Sequence, residues 1–191
     1  MRVGLFGGSF NPAHDGHLHV AQTALRRLGL DRVVWLVSPQ NPLKSARDTA
    51  SLKDRMAGAR RLARDRRMVV SDAETRLASQ YTVDTVRLLK ARFPGVRFVW
   101  IMGGDNLASF HRWRGWAQIM RELPVAVVAR PGPRLNGRVA VAAHRFTHAG
   151  LRSARARGLA RQAPPAWIYL RARLNFASST ALRERLAAAR S

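Results

Sequence analysis

Apolar positions arrive in two rhythms along this chain, and the two alternate. Residues 2–6 are nearly all apolar and predict a strand. From 17 to 28 the period lengthens, with Leu18, Ala21, Leu25 and Leu28 on one face, which predicts a helix. Residues 32–37 predict a second strand, closed by Ser-Pro, and a loop through Asn41-Pro42 follows. A helix starts near Ser51, where Ser-Leu-Lys-Asp offers a start resembling a capping box. Residues 68–70 predict strand three, and 83–93 a helix stopped by Pro94-Gly95. Residues 97–102 predict strand four. Residues 125–129 predict strand five, after two short helices. A late strand is expected at 167–170 and a closing helix at 179–189. Residues 130–165, rich in Arg, Ala, Gly and Pro, have no clear period and read as loop or a poorly ordered helix pair.

Strands that alternate with helices build right-handed βαβ units on a parallel sheet covered on both faces. The nearly continuous apolar strands suit such double cover. The fold class expected is therefore α/β, a Rossmann-like doubly wound parallel sheet with helices on both faces. With no internal repeat and no low-complexity linker, residues 1–191 read as a single domain. The longest apolar runs are strand-sized, so no membrane span is expected. Met1 leads straight into the first strand, and there is no cysteine. Both features predict a cytoplasmic protein without a secretory leader, disulfides or thiolate chemistry.

Charge complicates the picture. The formal net charge is +23, and of the 34 basic residues all but Lys44, Lys53 and Lys90 are arginine. Such a chain attracts polyanions in general. The arginines are spread over nearly every segment instead of forming one stripe, which argues against specific nucleic-acid binding. Sequence leaves a homo-oligomer open.

The chemistry concentrates in GGSFNPAHDGHLHVA, residues 7–21, where the first strand hands over to the first helix. In open α/β sheets that edge binds ligands. The spacing is neither the dinucleotide G-x-G-x-x-G nor a P-loop. Gly7 and Gly8 let backbone amides approach an anion, and a helix opening near Gly16 aims free amides and a positive dipole end at the same place. His14 and His17, three apart across that turn, can donate to phosphate oxygens. Two plainer readings stand beside this one: histidines that only cap a helix, and a His14-x-x-His17-x-His19 zinc cluster, for which only Asp15 is near.

The run Gly7-Gly8-Ser9-Phe10-Asn11-Pro12-Ala13-His14-Asp15-Gly16-His17 resembles the signature of nucleotidyltransferases built around an HxGH motif. Further segments occur in the order seen in bacterial nicotinate-nucleotide adenylyltransferases. They are Asn41-Pro42-Leu43-Lys44, Ser79 to Thr85, Gly103-Gly104-Asp105-Asn106-Leu107, Trp113, Arg130-Pro131-Gly132 and Ser178-Ser179-Thr180-Ala181-Leu182-Arg183. The resemblance covers nearly the whole chain. It implies transfer of the adenylyl group of ATP to nicotinate mononucleotide, with Mg²⁺ carried on the triphosphate and no metal held by the protein itself.

The resemblance also implies roles. His14, His17 and Arg183 would be catalytic. Gly7, Gly8, Ser9, Phe10, Gly104, Asp105, Ser179 and Thr180 would join them in holding ATP. Ser9 and Lys44 would meet the acceptor phosphate, and Tyr81, Thr82, Thr85 and Trp113 its nicotinate ring. Plainer alternatives remain for several: Arg183 on an ordinary capped surface helix, Lys44 in a solvated loop, Trp113 as packing. His144 and His148 read as surface histidines. Rival functions are a sibling adenylyl- or cytidylyltransferase with the same loop, or a noncatalytic basic nucleic-acid-binding protein on a degenerate fold.

Overall fold

The structure, a computed structural model, describes residues 1–39, 49–130, 140–172, 177 and 179–188. Seven strands form one wholly parallel sheet: β1 Arg2–Gly8, β2 Arg32–Val37, β3 Met68–Ser71, β4 Arg97–Gly103, β5 Val125–Val128, β6 Gly150–Leu151 and β7 Trp167–Leu170. Their order is β3-β2-β1-β4-β5-β7-β6. The chain winds outward from β1 to β3, then returns to the other side of β1. The switch point therefore lies between β1 and β4, where such sheets open a crevice at the carboxyl ends of the strands.

Eight α-helices are described: α1 Asp15–Arg27, α2 Leu52–Leu62, α3 Ala73–Arg76, α4 Thr82–Arg92, α5 Gly104–Ser109, α6 Trp116–Glu122, α7 Val141–Arg145 and α8 Ser179–Ala188. They cover both faces of the sheet, as the two-period pattern predicts. Alternation along β4 shows how. Val99 and Ile101 enter a core with Val20, Ala24 and Leu28 of the α1 side, while Phe98, Trp100 and Met102 enter a second core with Val86, Ile119 and Met120 of the α4–α6 side. At the second helix Ser51 caps as expected, its Oγ accepting from the Asp54 amide. The Asp54 carboxylate, in turn, accepts a hydrogen bond from the Ser51 hydroxyl at 2.6 Å.

Three differences from the pattern bear on the site. β1 runs on to Gly8, so both glycines end a strand instead of opening a loop. α3, only four residues long, precedes α4. The stretch after β5 is better ordered than its composition suggests among its described residues: α7 and a 3-10 turn lead to β6, and a nine-residue 3-10 helix, Ser153–Arg161, packs Leu159 and Ala160 into the α1-side core. Residues 131–139 of it lie outside the described residues. His144 and His148 are exposed on separate short helices, consistent with surface histidines.

Candidate active site

A cleft of about 420 Å³ opens at the switch point. The ends of β1 and β4 form its floor, with Gly7, Gly8, Trp100 and Gly103, and α1, α4 and α8 open onto it with His14, His17, Tyr81, Thr82, Ser179 and Thr180. Gly7 falls on the face that carries Val3 and Leu5 further back, but the Trp100 indole fills its place. A Cβ there would come within 2.5 Å of that ring. This glycine makes room for an aromatic floor, a packing requirement the phosphate-loop reading did not include.

The histidines turn out to cap and to face the cleft at once. His14 is the N-cap of α1: its Nδ1 accepts from the Gly16 amide at 3.0 Å, and His17 Nδ1 accepts in return from the His14 amide at 3.3 Å. A neutral imidazole whose Nδ1 accepts carries its proton on Nε2, so capping sets the tautomer of both rings. The rings lie against each other with their planes tilted by 37°, centroids 3.9 Å apart. Burial, with help from the positive charge of Arg130 and against the pull of Asp15, lowers the His14 pKa to about 4. His14 is thus a neutral donor at physiological pH. Gly16 leaves the space that His14 occupies. A Cβ there would sit 2.8 Å from the His14 ring and 2.9 Å from the Ala177 carbonyl oxygen.

Phe10, expected among the ATP ligands, is instead buried beneath the site. Its φ of 47° turns the chain so that the ring meets Phe6, Trp35 and, at 5.0 Å, the edge of His17. It supports the His17 ring plane and is absent from the cleft wall. Ser9 does line the cleft, and its carbonyl accepts from Arg55. Arg55 itself is buried and also donates to the Ala50, Ser38 and Pro39 carbonyls, tying the first loop to the end of β2.

Tyr81, Thr82 and Trp113 meet on the opposite wall. Gly115, at φ 66°, sets the start of α6 against Val83 so closely that a Cβ would come within 2.9 Å, and this brings the Trp113 segment onto the start of α4. The Arg114 guanidinium stacks 4.5 Å over Tyr81. Thr85 departs from expectation: it is fully buried, its hydroxyl shares a 2.8 Å bond with Ser79, and its amide is spent on the Tyr81 carbonyl. The Thr82 and Val83 amides make no hydrogen bond to a described residue. They are the free donors of this helix mouth. Glu74, which sequence reasoning passed over, also lines the cleft from α3. Desolvation raises its pKa to about 7, with a Thr85 hydrogen bond pulling the other way.

The third wall joins β4, β5 and α8. Asp105 lines the cleft as expected, with Oδ2 3.2 Å from Arg130 Nη1. Gly104 does not reach the cleft, since it packs against Tyr169 and Val128. Ser179 and Thr180 line the cleft, and Ser179 Oγ donates to the Pro12 carbonyl at 3.0 Å. Arg183 lies off the cleft wall: Nη1 donates to the Asn11 carbonyl at 2.7 Å, and Nη2 reaches Thr180 Oγ1 at 3.4 Å. It ties α8 to the first loop. Lys44 and Ser178 lie outside the described residues. Among the described residues, no three of His, Cys, Asp or Glu gather as a metal site.

The sequence matches the cytidylyltransferase-like family over residues 5–185. It is 67% identical to a probable nicotinate-nucleotide adenylyltransferase of Caulobacter sp. (strain K31), across 97% of this chain and 98% of that protein. It is 53% identical to one of Methylorubrum extorquens (strain PA1), across 97% of this chain and all of that protein. The fold is similar to that of Plasmodium falciparum nicotinic acid mononucleotide adenylyltransferase complexed with NaAD. That likeness has a TM-score of 0.71 at 15% identity and covers 96% of this chain and 82% of that one.

Proposed function

This chain belongs to the cytidylyltransferase-like family and, within it, to the nicotinate-nucleotide adenylyltransferases, and on that premise we propose that it transfers the adenylyl group of ATP to nicotinate mononucleotide, giving deamido-NAD and pyrophosphate. The acceptor phosphate is ionised at neutral pH and attacks the α-phosphorus directly, in line with the departing pyrophosphate. No general base and no covalent enzyme intermediate is required. What remains for the protein is positioning and charge stabilisation.

The observation that carries this reading is the pair of imidazoles at the mouth of α1. Each is held by its Nδ1 in the capping bonds, which in the neutral form puts the ring proton on Nε2. His14 and His17 would stabilise charge on the transferring phosphate, backed by the dipole of the helix they cap. Ser179 and Thr180 would meet the leaving phosphates, and Arg183 would hold that helix against the first loop. Ser9 and Lys44 would receive the acceptor phosphate.

Mg²⁺ enters as part of the substrate, on the oxygens of ATP, where it neutralises charge on the leaving pyrophosphate. The cleft's described carboxyl groups fit that arrangement. Asp105 is paired with Arg130, and burial favours the protonated form of Glu74, so neither stands ready as a resident metal ligand.

Choice of the acid follows from the α4 mouth. Residues 79–85 contain no arginine, so the carboxylate falls to the Thr82 and Val83 amides with Trp113 fixing the ring plane. A carboxamide would turn its NH₂ against one of those donors. Pyrophosphate release with ATP and a panel of acceptors tests the reading. Nicotinate mononucleotide should exceed its amide counterpart by about 100-fold or more in kcat/KM. Equal efficiencies would overturn the nicotinate assignment, and absence of release with every acceptor would overturn adenylyl transfer altogether.

A further inference from the structure

We propose that Arg130 is a positioning residue for this reaction: it clasps the opening of α5, the backbone entering α8 and the His14 end of α1 into one wall of the cleft. The proposal rests on the adenylyl-transfer reading above and adds a residue to it.

Arg130 follows β5, and its side chain is 9% exposed. Its fork is divided between two elements. Nη1 faces Asp105 Oδ2 at 3.2 Å, and Nη2 donates to the Ala177 carbonyl at 2.9 Å. That carbonyl is the same oxygen that lies 2.9 Å from where a Gly16 Cβ would stand, so the group Arg130 holds rests on the helix start that His14 caps. A second glycine accommodates the arginine itself: a Cβ on Gly103 would come within 2.8 Å of Arg130 Cδ. Two glycines on two elements thus leave room for one guanidinium and the carbonyl it binds. Lysine could supply the charge but not the planar fork that reaches both partners.

Arg130 Nε and Asp105 Oδ1 are both buried, and neither has a hydrogen-bond partner in the structure, so the guanidinium is held through its two Nη groups. The charge of Arg130 acts on chemistry too, since it is among the causes that keep His14 neutral, opposed by Asp15 and set beside the His17 ring.

The test compares R130Q, R130K, D105N and the double variant R130Q/D105N in steady-state kinetics, with ATP affinity measured separately and thermal unfolding followed throughout. A clasp predicts that R130K and R130Q each lower kcat by about 100-fold, the cost of misplacing reacting groups by about an ångström. ATP affinity should change far less than kcat, and the double variant should be no slower than the slower single one, because both break one unit. If R130Q is too unstable to assay, R130K against D105N carries the same comparison. Wild-type kcat in R130K, or losses that multiply in the double variant, would overturn the clasp. In either case the unaltered protein still releases pyrophosphate. Failure of the underlying adenylyl-transfer reading would show instead as no pyrophosphate release by the unaltered protein.

Discussion

His17 divides its ring between two tasks, and the division decides what its removal does. Nδ1 closes the capping box, while the other side of the ring lies on the cleft wall with Phe10 behind it. His17→Ala should therefore lower kcat by at least about 100-fold, as expected for a donor that acts in the transition state. ATP affinity, measured by equilibrium binding, should stay close to that of the wild-type protein. Near-normal turnover would remove His17 from the mechanism. The residue scale also shows where sequence was readable and where it was not. The HxGH histidines stood out because nothing in an ordinary turn needs them beside glycines and Asn-Pro. Arg55 did not, because in a chain with +23 formal charge one buried arginine looks like every exposed one, and Arg130 stood out only as part of the Arg130-Pro131-Gly132 segment, with no role attached. Phe10 was misplaced for a different reason. Membership of a motif does not say which side of the backbone a residue faces, and its φ of 47° sends the ring into the core.

At the scale of elements, periodicity located those long enough to show a period. The strands at 32–37 and 167–170 have the predicted bounds, and the α1, α2 and α4 helices fall within two residues of theirs at most ends. α3, with four residues, and β6, with two, are too short to complete a pattern, and Ser153–Arg161 follows a 3-10 repeat that a search for 3.6 misses. Missing α3 meant missing Glu74. Its consequence is a pH effect of definite sign. The native carboxyl, with pKa about 7, keeps a proton that the unfolded chain, at 4.5, has released, so its contribution to stability falls as pH rises through that window. His14 slopes the other way: its native pKa of about 4 against 6.5 means stability is lost as pH falls between those values. Where the windows overlap the two oppose. Glu74→Gln removes one of them, so urea unfolding across a pH series should show the variant gaining on wild type between about pH 4.5 and 7, by on the order of a few kcal/mol at the upper end. A difference between the two proteins that stays constant with pH would show that Glu74 does not titrate in this way.

For the whole molecule, charge and recognition act over different distances. A +23 surface draws in any nucleotide, and salt screens that attraction over about 10 Å at 0.1 M. On the proposed reading, the acid-versus-amide choice would be made by the two α4 amides and the Trp113 ring, next to the acceptor. Raising ionic strength should therefore lower kcat/KM for both mononucleotides while leaving their ratio nearly constant. A ratio that collapses with salt would place the discrimination in the general field instead.

The bonds from α8 to the first loop have a consequence for how this protein is made. Ser179 reaches Pro12 and Arg183 reaches Asn11, contacts that close loops of 167 and 172 residues. A nascent chain can wind β1 to β5 around its own helices as they emerge, yet the α8 wall of the cleft forms only after residues 179–183 have left the ribosome. Sheet assembly and competence for catalysis are thus separate events in time. A chain stalled before residue 179 would carry the histidines, the aromatic floor and the α4 wall, and still lack the helix that closes the cleft.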